Sequence, residues 1–156
     1  MAIRNIVKEG DDTLKKVCRP VEHFDDRLRE LVEDMKDTLK KADGLGLAAP
    51  QIGVLRRIFV LLDDDETMRT MINPEIVLAE GTQEAQEGCL SVPGVFGKTV
   101  RPAHVIVRAK DEYGNDVTMD RRGITAVCLC HENDHLNGLA MLLGKLVTGR
   151  AQGFAD

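Results

Sequence analysis

The residues most ready to do chemistry lie in the C-terminal third of the chain, in His131-Glu132-Asn133-Asp134-His135. On a helix, side chains four apart share one face, so His131 and His135 can both reach a single metal ion. At about 100° per residue, Glu132 falls off the line of the two imidazoles, clear of the ion but close to a water the ion would activate. A general base belongs there. Two histidines leave the site incomplete, because catalytic zinc-like centres usually take three protein ligands and keep one position open. Cys89, in Glu87-Gly88-Cys89-Leu90-Ser91-Val92-Pro93, ends a predicted strand between a glycine and a turn, where a thiolate can project from rigid backbone. Cys128 competes for the role. It lies on the face of His131 but shares that face with Ile124 and Val127, as a packing thiol would. Cys130 points to the other side, and Cys18, beside Arg19-Pro20, has no ligand spacing.

These groups need a framework that holds a helix against a strand end. After Asp25-Asp26, the residues Leu28, Leu31, Val32, Met35 and Leu39 recur at helical spacing, with acids at the start and lysines near the end, so an amphipathic helix is expected up to Asp43-Gly44. Gly44-Leu45-Gly46-Leu47-Ala48-Ala49-Pro50 reads as a loop of small residues. From Arg57 to Arg108 the pattern becomes strand-like: Ile58 to Leu62, then Glu75 to Leu78, then Val105 and Val107, broken by Asn73-Pro74 and followed by the turn signal Tyr113-Gly114-Asn115. Past Arg121-Arg122-Gly123, the stretch Ile124 to Asn137 is free of proline and glycine and stops at Gly138, as a helix does. The expected fold is α+β: one domain over residues 1–156, a mainly antiparallel sheet, a central helix bearing the histidines and an N-terminal amphipathic helix.

Composition narrows the function. The 156 residues, 43% of them apolar, can bury one core without disulfides, so the four cysteines are free to serve as thiols, ligands or nucleophiles. With 26 acidic and 21 basic residues interspersed, net charge −5, no basic stripe is available for a phosphate backbone and nucleic-acid binding is not expected. The chain has neither a leader-like start nor an apolar run long enough to span a bilayer, so a cytoplasmic setting of bacterial type is expected.

Three segments together resemble the motifs of the peptide deformylase family, in order and at similar separations. Gly44-Leu45-Gly46-Leu47-Ala48-Ala49-Pro50-Gln51 is similar to the first, Glu87-Gly88-Cys89-Leu90-Ser91 to the second and His131-Glu132-Asn133-Asp134-His135 to the third. Asp12, Leu14, Pro20-Val21, Ile72-Asn73-Pro74 and Leu136-Asn137-Gly138 extend the likeness over nearly the whole chain. The resemblance implies a hydrolase that removes the formyl group from N-terminal methionine of nascent or newly made proteins. Cys89, His131 and His135 would be the metal ligands and Glu132 the acid/base. Gln51 and the backbone N–H of Leu90 would donate to the oxyanion, where charge appears only in the transition state. Backbone of Leu45, Gly46 and Gly88 would pair with the substrate as an added strand. Ile124, Val127, Cys128 and Ala85 would surround the methionine side chain. The implied cofactor is one divalent ion, Fe2+ in the cell, with Zn2+, Ni2+ or Co2+ able to replace it in vitro. A thiolate and two imidazoles do not by themselves choose among such ions.

The chain departs from the family pattern in having Cys130 where a glutamine is usual, and in Leu139-Ala140-Met141-Leu142-Leu143-Gly144 after the third motif. Some members carry a long basic C-terminal helix that contacts the ribosome; nothing before Asp156 reads as one, so ribosome association is expected to be weak at most. Two other readings stand beside the deformylase. A peptidase with the same helix would take a downstream Glu or His as its third ligand, and the residues after His135 contain neither. A closed, inactive Cys/His/His metal site would have no need of Gln51 and Glu132.

Overall fold

The computed structural model describes residues 2–140. The first helix, α1 (Asp26–Ala42), starts where expected: the Asp25 carboxylate accepts from the Leu28 N–H, Asp26 lies in the first turn and Lys40 and Lys41 in the last. It ends at Asp43, in the left-handed region (φ 56°). Its buried face carries Leu28, Val32, Met35 and Leu39.

The stretch expected to be a loop is partly ordered into β1 (Gly46–Ala48), which pairs antiparallel with β2 (Ile58–Leu62), Leu47 opposite Val60. Small residues let this backbone lie flat beside β2, and Pro50 falls at the start of a 3₁₀ turn over Ala49–Ile52, where a missing N–H costs nothing. A second departure concerns Asn73-Pro74. The chain does not break there; β3 (Met68–Glu80) runs through it, and the ladder shifts between Ile72 and Glu75. This bulge accommodates a proline that cannot donate to the ladder. Asn73 holds it in place, its side chain accepting from Val21 N–H and donating to Val21 C=O.

The remaining strands are β4 (Gln83–Cys89), β5 (Val92–Arg101), β6 (His104–Lys110) and β7 (Asp116–Arg122), followed by α2 (Gly123–Leu136). The ladders that join these strands are antiparallel. One sheet runs β1-β2-β3-β6-β7, and β4 and β5 form a separate hairpin. Alternation along β2 explains the layering. Ile58 and Val60 share a buried cluster with the apolar face of α1, while Phe59 and Leu61 share another with Ala126, Leu129, Cys130 and Leu136 of α2. The sheet is thus covered by α1 on one face and by α2 on the other. Among the described residues no helix is long and apolar enough to cross a membrane. The departures expected beyond Ala140, including the question of a C-terminal basic helix, concern residues 141–156 and lie outside the described ones.

The end of α2 is fixed from outside. Cys18 N–H donates to Leu136 C=O, and Gly138 passes so close that an added Cβ would lie 2.5 Å from the Lys15 carbonyl oxygen, at a φ of +72°. Gly138→Ala should therefore destabilise the fold by about 1–3 kcal/mol. Urea denaturation measures this, and an unchanged midpoint would contradict it.

Candidate active site

The two elements expected to meet do so. Cys89, the last residue of β4, brings its Sγ to 3.3 Å from Nε2 of His135 on α2. One donor atom each from Cys89, His131 and His135 falls within 4.8 Å of the others, and both imidazoles are buried. Cys128, the rival ligand, lies outside this group; burial pushes its thiol up to about 12, which keeps it protonated. Cys130 packs into the core, as its helical position predicts.

Glu87 sets the orientation of His131. Its Oε1 is 2.9 Å from His131 Nδ1 and accepts from Arg101 Nη2 at 2.9 Å; its Oε2 accepts from Arg101 Nε at 2.6 Å and from the Thr99 hydroxyl. Burial opposes the charge on Glu87, but the hydrogen bonds from His131 and Arg101 outweigh it and hold the carboxyl down at about 2. An ionised carboxylate can only accept, so His131 donates through Nδ1, which leaves Nε2 as the nitrogen that would meet an ion. His135 is neutral, since burial pushes it well below the usual histidine range. A thiol and two imidazoles turned toward one another inside the protein are the donor set that iron, zinc or cobalt accepts, so the residues fit a bound divalent ion.

Glu132 is buried beside this group, and burial pushes its carboxyl up to about 7. Its Oε2 occupies the space a side chain at position 46 would need: a Cβ on Gly46 would lie 2.5 Å away. Only glycine lets β1 pass so near. Gln51 is buried too, its Oε1 accepting from Ala48 N–H at 2.9 Å while Nε2 donates to Ser91 Oγ at 3.2 Å and approaches Cys89 Sγ at 3.6 Å. The amide nitrogen is therefore turned toward the metal-ligand group.

A cavity of about 470 Å³ opens beside these groups, its wall including Leu45, Gly46, Gly88 and Leu90 on one side and Ile124, Val127 and Cys128 on the other. Of the residues expected around a methionine side chain, the exception is Ala85. It is half-buried on β4 opposite Thr99, outside the cavity wall, on the strand face it shares with Glu87. Sequence reasoning missed the supporting polar groups: Glu87, Thr99, Arg101, Ser91 and Asp134, which accepts from Arg101 Nη1 at 2.7 Å. Period-two alternation places Glu87 on the face of Cys89 and was a usable signal. No local pattern announced Arg101, which reaches Glu87 across a hairpin.

An α+β chain that converges a thiol, two imidazoles and a buried carboxylate on one cleft has the site of a metal-dependent hydrolase. The comparisons agree. The polypeptide deformylase family matches residues 3–144. A peptide deformylase of Acetivibrio thermocellus is 48% identical over 139 residues, 89% of this chain and 81% of that protein. The crystal structure of a peptide deformylase from Legionella pneumophila superposes with a TM-score of 0.86 at 45% identity, over 91% of this chain and 86% of that one. A peptide deformylase from Ehrlichia chaffeensis in complex with actinonin gives a TM-score of 0.85 at 39% identity, over 88% and 86% of the two chains. The chain belongs to the polypeptide deformylase family, a family of metal-dependent enzymes, and the peptidase and inactive-site readings are not favoured.

If Glu87 orients His131, removing its charge while keeping its shape should weaken metal binding. Glu87→Gln should raise the dissociation constant for Zn2+ by about 10- to 100-fold, the usual effect of losing a ligand's hydrogen-bonding partner. Competition against a chromophoric chelator measures it, and wild-type affinity would show that Glu87 serves packing alone.

Proposed function

We propose that this chain removes the formyl group from N-terminal formyl-methionine, with Cys89, His131 and His135 holding one divalent ion and residues 1–156 acting as a single catalytic domain. The ion supplies Lewis acidity, which activates water and polarises the formyl carbonyl. Glu132 takes the proton from the attacking water on its carboxylate and passes it to the departing amine nitrogen, two halves of one acid/base cycle. Its near-neutral pKa of about 7 suits both halves. Gln51 Nε2 and the Leu90 backbone N–H donate to the formyl oxygen as it becomes negative. Leu45, Gly46 and Gly88 offer backbone to the substrate peptide, and Ile124, Val127 and Cys128 wall the methionine side chain.

The observation that carries this reading is the buried Glu132 carboxyl, held under Gly46 beside the three ligands. A closed structural site would have no use for an acid placed there. For the cellular ion we favour Fe2+, which would leave the Cys89 thiolate open to oxidation and the enzyme sensitive to air. Cytoplasmic action on nascent chains and, given the net charge of −5, at most weak ribosome association belong to the same proposal.

Anaerobically prepared protein loaded with Fe2+ should release formate from formyl-Met-Ala. Glu132→Gln should keep the metal yet lose activity by at least about a hundredfold, the low end for a general base. A near-normal rate in the metal-replete variant would mean another group moves the proton. The apolar wall gives a second expectation: Val127→Phe should fill the methionine pocket and lower kcat/KM for formyl-Met-Ala by at least about tenfold. Unchanged efficiency in a folded variant would place the pocket elsewhere.

A further inference from the structure

The joint between β7 and α2 is gripped from outside by residues 63–67, the turn that links β2 to β3. Two adjacent acids of that turn do the gripping. The buried Asp63 carboxylate accepts from Arg121 Nε at 2.9 Å and Nη2 at 2.7 Å, and from Arg69 Nε at 3.0 Å. The hydrogen bonds from Arg121 hold its carboxyl well below the usual carboxylate range, so it stays charged. Its neighbour Asp64 accepts through Oδ1 from the hydroxyl of Thr125. Arg121 lies two residues before Gly123 and Thr125 two residues after it. Gly123, at a φ of +62°, is where the chain turns from strand into helix.

The helix has little of its own to fix this start. Arg122, at its N-cap, makes no side-chain cap, and the first turn carries no acidic residue. Asp64 makes up for both from another element, since it brings a carboxylate to the positive end of the helix and ties the first turn through Thr125. Thr125 is 3% exposed, and Asp64 is the one partner of its hydroxyl among the described residues, so breaking this bond strands a buried donor. The same turn of helix begins the cleft wall. Ile124 precedes Thr125, Val127 and Cys128 follow it by two and three residues, and these three line the cavity while Thr125 and Asp64 do not. A shift of the first turn therefore carries the wall with it, and displacements of about 1 Å are enough to matter to a reaction.

We infer, resting on the deformylase reading above, that Asp64 is a positioning residue for the methionine wall. By holding Thr125 it sets where Ile124, Val127 and Cys128 stand, and so how sharply the cleft tells methionine from a shorter side chain. Anaerobic Fe2+-loaded protein should be assayed with formyl-Met-Ala and formyl-Ala-Ala. The ratio of kcat/KM for the first to the second should fall by about 3- to 30-fold in Asp64→Ala and in Thr125→Val, the span for a residue that acts through another. The double variant should lose no more than either single one, because both remove the same bond. Asp64→Asn and Thr125→Ser, which keep the acceptor and the donor, should retain most of the wild-type ratio. Because the ratio is internal to each protein, partial loss of folded enzyme cancels. Asp65→Ala, in the same turn but paired with Arg69, should leave the ratio as it is. Affinity for Zn2+ should stay at the wild-type value in every variant, since Glu87 and Cys89 come from the other side of the cleft. An unchanged ratio in both Asp64→Ala and Thr125→Val, losses that add in the double variant, or a fall in Zn2+ affinity alongside the ratio would overturn the assignment. Failure of the wild-type protein to hydrolyse even formyl-Met-Ala would instead overturn the deformylase reading.

Discussion

Between the β4–β5 hairpin and α2, the buried Glu87 carboxylate accepts hydrogen bonds from His131 Nδ1, from two nitrogens of Arg101 and from the Thr99 hydroxyl. Arg101 in turn reaches Asp134, so the hairpin grips α2 at two points. Taking a carboxylate and a guanidinium out of water costs several kcal/mol each, and their attraction repays that only when every remaining donor and acceptor is well placed. An apolar replacement of the same shape could serve stability equally well. What it could not do is fix the tautomer of His131 and hold it opposite Cys89, which comes from the same strand as Glu87. The network therefore matters chiefly as a device for position.

The helix that carries the histidines is buried on two sides for different reasons. Ala126, Leu129 and Leu136 pack against the sheet, while Val127, His131 and Glu132 face the cleft. At its C-terminal end, Arg57 donates to Leu136 C=O and Asn137 Oδ1, placing a cation where the helix dipole is negative. A helix anchored at its end and along both sides leaves the ligand geometry little freedom. That rigidity is what a preorganised site needs, because a donor that must move into place during the reaction loses part of its effect.

Much of this was legible in the residues. The apolar period of α1 and the acids at its start mark that helix, and the spacing of His131, Glu132 and His135 puts the two imidazoles on one face with the carboxylate beside them. The sheet was less so. Gly46 to Ala48 carry too little side chain to signal a strand, and their pairing depends on β2. Asn73-Pro74 looks like a break until the partner strand shows that a bulge can absorb it. Ala85, placed at the methionine pocket by resemblance, shares the strand face of Glu87 and Cys89 but sits further back along β4, opposite Thr99, and is not among the residues that line the cavity. Cys89 could be only a candidate from its neighbours, because a third ligand is defined by convergence in space. Arg101 gave no signal of its own, since its significance is the carboxylate it meets across the hairpin.

The proposed chemistry depends on one ion being held by Cys89, His131 and His135, and cobalt reports on that directly. Anaerobic titration of the metal-free protein with Co2+ should raise a thiolate-to-cobalt charge-transfer band that saturates at one equivalent. The band should vanish in Cys89→Ala and persist in Cys128→Ala. A band that survives the loss of Cys89 and disappears with Cys128 would contradict the account.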